Sequence, residues 1–228
     1  MRHLRNSVLA VLFLLALTPR AFTAEPAGRI GRLGGEVAIV RAGIEVIPSS
    51  GEAVQARDHL TTAAGGRLEA VFTDGTIIVL ADASEVVIDA WAFNADDDQG
   101  RLFLRLMGGS IMVDAGRLAE QQLRLRTPVA TVGVRGTRFW AGSLDGRFGI
   151  LLLAGSVSVE NTSGRVDLSV PGTGVFVAVP EGGAQQDLAE PAEAWIGPGA
   201  PPARGGPLSE PEPWAADQVI QALRAVSF

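Results

Sequence analysis

The 228-residue chain contains no cysteine, no lysine and no tyrosine, and only two histidines. Without cysteine there is no disulfide, no thiolate nucleophile and no thiolate zinc site. Without lysine there is neither a P-loop nor a Schiff-base amine. His3 lies in an apparent leader, which leaves His59 as the one imidazole that a Ser-His-Asp triad would have to use. No serine sits in a nucleophile-elbow pattern. The run Arg57-Asp-His-Leu-Thr61 alternates as a strand edge does, so His59 is read as a surface or hydrogen-bonded structural residue. These absences predict a non-enzymatic protein with no catalytic residue, cofactor or metal.

Residues 1–24 read as an export signal: Arg2 and Arg5 precede an apolar stretch from Val8 to Leu17, and cleavage falls after Thr23 or Ala24. The apolar stretch is much shorter than the ~20 residues a membrane span needs, so no stable span is expected after cleavage. The predicted location is the periplasm or outside the cell. Cleavage removes three of the 19 arginines (Arg2, Arg5, Arg20) and no acid, which leaves 16 against 25 Asp plus Glu, a net charge of −9. With its arginines scattered singly, such a chain lacks the basic stripe that nucleic acid requires. A mature chain of roughly 200 residues buries about 70% of its unfolded surface, enough to fold without covalent staples.

Period-two runs rich in Val, Ile, Leu and Thr fill the chain from Gly34 to Val179. Candidate strands cover 36–41, 60–62, 67–73, 76–80, 85–93, 101–107, 110–113, 122–126, 130–135, 137–142, 147–153, 156–161, 165–169 and 174–179. Hairpin tips are expected at Asp74-Gly75, Gly108-Gly109, Asp145-Gly146 and Ser163-Gly164. A Gly followed by a hydroxyl residue recurs at Gly75-Thr76, Gly109-Ser110 and Gly155-Ser156, at spacings too uneven for a strict repeat. The predicted fold is all-β: an irregular antiparallel β-sandwich or jelly-roll-like domain over 25–180, with a β-solenoid-like roll as the alternative. Residues 181–213 are rich in Pro and Gly and predict an extended, solvated linker. Residues 214–228 predict a short amphipathic helix that starts at Pro213 and presents Ala216, Val219, Ile220, Leu223 and Val226 on one face. A helix this short needs a surface to dock on. That surface is either the chain's own sheet or a partner, for which Trp214, Ile220 and Leu223 are the candidate contacts.

The most informative stretch is Thr127-Pro-Val-Ala-Thr-Val-Gly-Val-Arg-Gly-Thr-Arg-Phe139. Alternation puts Val129, Thr131, Gly133 and Arg135 on one strand face and Ala130, Val132 and Val134 on the other. Gly136 then marks a bulge that re-aims Arg135 and Thr137. Pro128 is expected at the strand's first residue, where a missing donor is tolerated. A buried Arg135 would need a carboxylate such as Asp82 or Asp89, whereas a surface Arg135 offers a fork to an anionic partner. A structural role is expected, with Arg135→Ala lowering the melting temperature by several degrees.

This stretch resembles the signature of the FecR domain, the periplasmic module named after the ferric citrate regulator, through Thr127, Pro128, Arg135, Gly136, Thr137 and Phe139. A second block, Asp58-His-Leu-Thr-Thr62 followed by Gly65-Gly66 and Asp74-Gly75-Thr76, resembles another part of the family pattern. Arg57 stands where the family usually has Gly, so the turn before Asp58 is expected to differ. A third block, Leu152 to Val159 with Asn161 and Gly164, resembles the closing hairpin. Together the blocks span about residues 28–180. The resemblance implies periplasmic sensing or scaffolding through an unknown protein or cell-envelope component. The family's relay to a cytoplasmic sigma factor is not expected to carry over, because only a leader precedes the domain.

Other readings compete with this one. Asn94-Ala-Asp-Asp-Asp-Gln-Gly100 has the alternate oxygens of a calcium loop, but Gln99 replaces the glycine and Arg105 the final acid, so a solvated turn is expected. Trp91, Phe93, Trp140 and Phe148 are read as packing residues. The alternative function is a secreted glycan-binding or glycan-cleaving β-domain using Trp91 or Trp140. An envelope structural component, assembling through exposed strand edges, is a third reading.

Overall fold

The computed structural model describes residues 25–118, 122–179 and 202–228. The expected leader and the first part of the expected linker, through residue 201, lie outside the described residues. The chain forms β1 (Gly28–Gly34), β2 (Val37–Arg41), β3 (Ile44–Val46), β4 (Ala53–Val54), β5 (His59–Thr62), β6 (Arg67–Phe72), β7 (Ile77–Leu80), β8 (Glu85–Asn94), β9 (Gln99–Gly108), β10 (Ser110–Asp114), β11 (Leu123–Arg126), β12 (Thr131–Leu144), β13 (Arg147–Asn161), β14 (Gly164–Leu168), β15 (Thr173–Val177) and β16 (Glu212–Pro213), then helix α1 (Ala216–Ala225). The fold is mostly β with one short helix, as the alternation predicts.

All the strands join one hydrogen-bonded sheet that curls into two layers. Strands β12 and β13 are long enough to belong to both. The first half of β12 pairs with β11, its second half with β10, and β13 runs beside it throughout. Layer A therefore runs β3-β2-β5-β8-β9-β11, then the first half of β12, the second half of β13, and β14. Layer B runs β4-β1-β6-β7-β10, then the other halves of β12 and β13, then β15 and β16. A single core lies between them, with Ile39, Leu60, Ile88, Leu104 and Val132 from layer A against Ile30, Leu68, Ile78, Phe139 and Ile150 from layer B. The β9–β11 pair is parallel, so the sheet is mixed rather than wholly antiparallel.

The three Gly-hydroxyl steps turn out to be different devices. Asp74-Gly75 is a hairpin tip between β6 and β7, as expected. Gly108-Gly109 is not a hairpin, because β9 pairs with β8 and β11 while β10 pairs with β7 and β12. It is a corner where the chain crosses between layers. Gly109 has φ +78, and a Cβ there would fall 2.2 Å from Ser84 Oγ. Gly155-Ser156 lies inside β13, opposite the Gly136 bulge of β12.

Where the backbone ladder is interrupted at the β12–β13 bulge and the neighbouring corner, a buried hydroxyl takes up the freed groups. At the β12–β13 bulge Thr137 Oγ1 lies 2.6 Å from both Arg135 O and Ser156 O, and it accepts from Ser156 N–H at 3.1 Å. Gly136 (φ +53) and Gly155 (φ +78) allow the two strands to kink together, since a Cβ on Gly155 would sit 2.2 Å from Gly136 O. At the neighbouring corner Thr62 Oγ1 donates to Ala81 O (2.5 Å) and accepts from Ser84 N–H (2.9 Å). Ser84 Oγ in turn accepts from Ser110 N–H at 2.9 Å. Thr127 does the same at the β11–β12 turn, accepting from Ala130 N–H at 3.0 Å. Pro128 lies within that turn and not at the first residue of the strand.

The outer face of layer B is apolar. Val79, Trp140, Leu151 and Phe176 form a second cluster there, closed by Trp214, Ala222 and Val226. Residues 202–213 are thus not a solvated arm: Ala203 bridges Asn161, Leu208 bridges Val177, and β16 pairs with β15. Pro213 ends that strand, and Ala215 is the N-cap of α1. The helix docks through Val219, Ala222, Ala225 and Val226, whereas Ile220 stays 48% exposed.

Arg57 adopts φ +72, the left-handed region that favours glycine, and its N–H still donates to Ile88 O at 2.6 Å. The turn before Asp58 therefore keeps a positive-φ residue in spite of the arginine. Relieving that strain with Arg57→Gly is expected to raise unfolding free energy by about 0.5–1 kcal/mol in urea titration. Thr137→Val, which leaves the bulge's backbone groups unmatched, is expected to lower it by about 2 kcal/mol; an unchanged urea midpoint would show that the hydroxyl is dispensable.

Candidate functional site

On the outer face of layer A, alternation carries the polar residues. Past the Thr127 turn, β12 buries Val132 and Val134 and turns Thr131, Gly133 and Arg135 outward; the sequence predicts this division into two faces but not which one is buried, and Val129, expected on the Arg135 face, is buried in the turn before the strand. Across the register, Ser156 lies opposite Arg135 and Ser158 opposite Gly133. Asp167 on β14 lies opposite Ser158, and Arg165 donates to Asp167 Oδ1 at 3.1 Å. These residues line a groove of about 210 Å³. Gly133 is its floor, since a Cβ there would lie 2.7 Å from Ser158 Oγ. The groove is thus lined by two arginines, of which Arg165 pairs with Asp167, three serine hydroxyls (Ser156, Ser158 and Ser169) and one carboxylate. Such a set suits hydrogen-bonded recognition of an acidic group.

Arg135 is exposed, and neither expected carboxylate reaches it. Asp89 is held by Arg105, whose Nε donates at 3.0 Å within a buried pair, and Asp82 lies 3.7 Å from Arg67. The β8 bulge beside Ile88 places Asp89 against β9 instead.

Several remaining motif residues are structural. Phe139 is fully buried in the shared core. Asp74 is also fully buried; it accepts from Thr76 N–H (3.0 Å) and Thr76 Oγ1 (2.6 Å), and its carbonyl receives Arg117 N–H at 3.0 Å. Gly75 provides the φ of +91 in that turn. Asp58 is wholly buried and receives Arg41 Nε (2.8 Å), Arg41 Nη2 (2.7 Å) and Gln55 N–H (2.8 Å). The hydrogen bonds to Asp58 hold the Arg41 guanidinium above its ordinary pKa, so it stays charged at any physiological pH. His59 faces Glu85, with Nδ1 3.3 Å from the carboxylate.

Among the candidate contacts, Trp214 is buried on the chain's own sheet, Leu223 is partly buried and Ile220 is exposed. In the 94–100 turn, Asn94 Oδ1 and Asp97 Oδ1 receive the N–H groups of Asp96 and Gln99, and Asp98 pairs with Arg117. Those oxygens serve the hairpin. Among the described residues no group of three His, Asp or Glu converges as metal ligands, and no helix is long and apolar enough to cross a membrane.

Asn161 is the residue that sequence reasoning undervalued. Its Nδ2 donates to Val129 O (3.1 Å) and Gly206 O (2.9 Å), which ties the family-motif turn to the C-terminal arm. Its signal was faint: one Asn at a predicted hairpin end, with a partner 45 residues away.

The chain is a two-layered β domain whose polar face carries a guanidinium-lined groove. Residues 58–158 match the model of the FecR protein family, consistent with a FecR-like domain over that stretch. No curated protein matches the chain. It is similar to two crystal structures of proposed anti-sigma factors from Parabacteroides distasonis ATCC 8503, at 2.50 and 1.65 Å resolution. The first is 14% identical with a TM-score of 0.47, covering 72% of this chain and 63% of that one. The second is 13% identical with a TM-score of 0.43, covering 73% of this chain and 90% of that one. Likeness at this level says nothing of function.

Asp58→Ala is expected to cost about 2–3 kcal/mol, below the full cost of a wholly buried pair because Arg41 keeps 31% of its side chain exposed. Arg135→Ala, at an exposed position, is expected to change stability by no more than about 0.5 kcal/mol. Denaturant melts of both variants check the contrast, and it replaces the loss of melting temperature that a buried Arg135 would bring.

Proposed function

We propose that this chain is an exported recognition module whose FecR domain senses or scaffolds in the periplasm by binding a protein or envelope component through the Arg135 groove. One observation carries this reading. The motif's Gly136 and Thr137 are spent on the bulge, while Arg135 is turned out above a trough that Gly133 keeps open. The FecR match supports a sensing or regulatory role. The chemistry of the groove selects partners that present carboxylates or similar acidic groups.

Photocrosslinking from position 158 in periplasmic extract tests it. An Arg135→Ala, Arg165→Ala double variant is expected to lose the main crosslinked product while its melting curve stays in place. An undiminished product would remove the groove from the mechanism, and a cytoplasmic sigma factor as the main product would contradict export.

A second reading, glycan binding, is favoured by one feature. Trp91 and Phe93 line a trough of about 510 Å³ together with Glu25. Trp140, at 1% exposure, cannot take part. A glycan array that lights up with the native chain and dims with Trp91→Ala would support this reading; a blank array would retire it.

A further inference from the structure

The apolar outer face of layer B is covered by the C-terminal segment in a manner that matches peptide recognition by strand addition. Strand β15 would otherwise be a sheet edge. Ser209 completes it, donating its N–H to Phe176 O (2.9 Å) and accepting Phe176 N–H on Oγ (3.0 Å). Gly206 N–H donates to Ala178 O at 3.0 Å, and Glu212 pairs with Gly174. Main-chain bonds along an edge give affinity, and pockets for alternate side chains give selectivity.

Here the pocket is a notch made by two glycines. Trp214 fills it so closely that a Cβ on Gly149 would lie 2.6 Å from the indole and one on Gly174 2.3 Å from Nε1. The indole stacks on Phe176 at 4.8 Å and 3° and meets Trp140 edge-on at 5.9 Å. After Trp214, α1 lies on the face through small residues.

The fit is incomplete in two respects. Trp214 Nε1 is buried without a hydrogen-bond partner among the described residues, which costs stability. The helix is ten residues long, and Ala222 is the one residue within it that is fully buried, while Ile220 and Phe228 each remain 48% exposed. A helix of that length is marginal without strong docking.

We propose that the β15 edge and its tryptophan notch form a peptide-binding groove, filled in cis by residues 206–226, that accepts in exchange an extended segment of a partner protein. The partner segment would carry an aromatic side chain for the notch, an acceptor for the indole or a ring without a donor, and an amphipathic helix after it. The cis segment is tethered, so it competes at an effective concentration in the millimolar range. The apparent affinity of an outside segment is lowered by the fraction of grooves already filled. This groove lies on the opposite layer from Arg135, and the two readings stand independently.

The test uses the full chain and a fluorescent peptide of residues 206–228 as probe, read by anisotropy. Trp214→Ala empties the notch, so the peptide is expected to bind that variant at least tenfold more tightly than the native chain, with the far-UV strand signal unchanged. A peptide whose own tryptophan is replaced by alanine is expected to bind neither. Equal affinity for the two chains, or no binding to the variant, would overturn the proposal. Should Trp214→Ala lose its strand signal, Ala222→Glu, which evicts the helix and leaves the strand edge intact, is read by the same criteria.

Discussion

A strand that bends or passes from one layer to another cannot keep its ladder there, and at three such places in this protein a buried hydroxyl matches the peptide groups set loose. Thr137, Thr62 and Ser84 occupy these places, and Thr127 serves the β11–β12 turn within layer A. Interior peptide groups without partners would each cost on the order of 1–3 kcal/mol, so the curled sheet exists because these short polar side chains lie where it bends. The glycines beside them supply the backbone angles, and the hydroxyls supply the hydrogen bonds.

The two layers differ in what they ask of their outer faces. Layer A alternates, and its outward residues include His59, Arg124, Arg135, Ser156 and Ser158, which tolerate water. In layer B, β6 alternates but β7 and the first half of β13 do not. Ile77-Ile-Val-Leu80 and Ile150-Leu-Leu-Leu153 are apolar on both sides, the pattern of strands covered on both faces. A cover is therefore required, and the C-terminal segment supplies it with Trp214 and the small-residue face of α1. A polar outer face and a hydrophobic, covered one are thus kept on opposite sides of one core.

Much of this was legible in residue order. The strand runs, the grouping of Thr131, Gly133 and Arg135 on one strand face and the bulge at Gly136 followed from period-two alternation and one misplaced glycine. Strands β1, β3 and β4 were missed because Gly28–Gly34 carries three glycines and the other two are two or three residues long. Gly108-Gly109 looked like a hairpin because a tight turn and a layer crossing use the same residue types; only pairing partners separate them. Asp89 looked available to Arg135 until the β8 bulge delivered it to Arg105. The helix's docking face was misassigned by about one position, since hydrophobicity favoured Ile220 where close approach to the sheet required Ala222.

By itself the order of residues determined that the chain is a disulfide-free β protein, that Arg135 shares a strand face with Thr131 and Gly133, and that a bulge stands at Gly136, because alternation and φ preference are local properties. Tertiary structure decided which strands become neighbours, which carboxylate meets which arginine, and that Trp214 turns inward onto Phe176. Those outcomes depend on contacts between residues up to dozens of positions apart, such as Asn161 with Gly206, and no local pattern contains the distance between them.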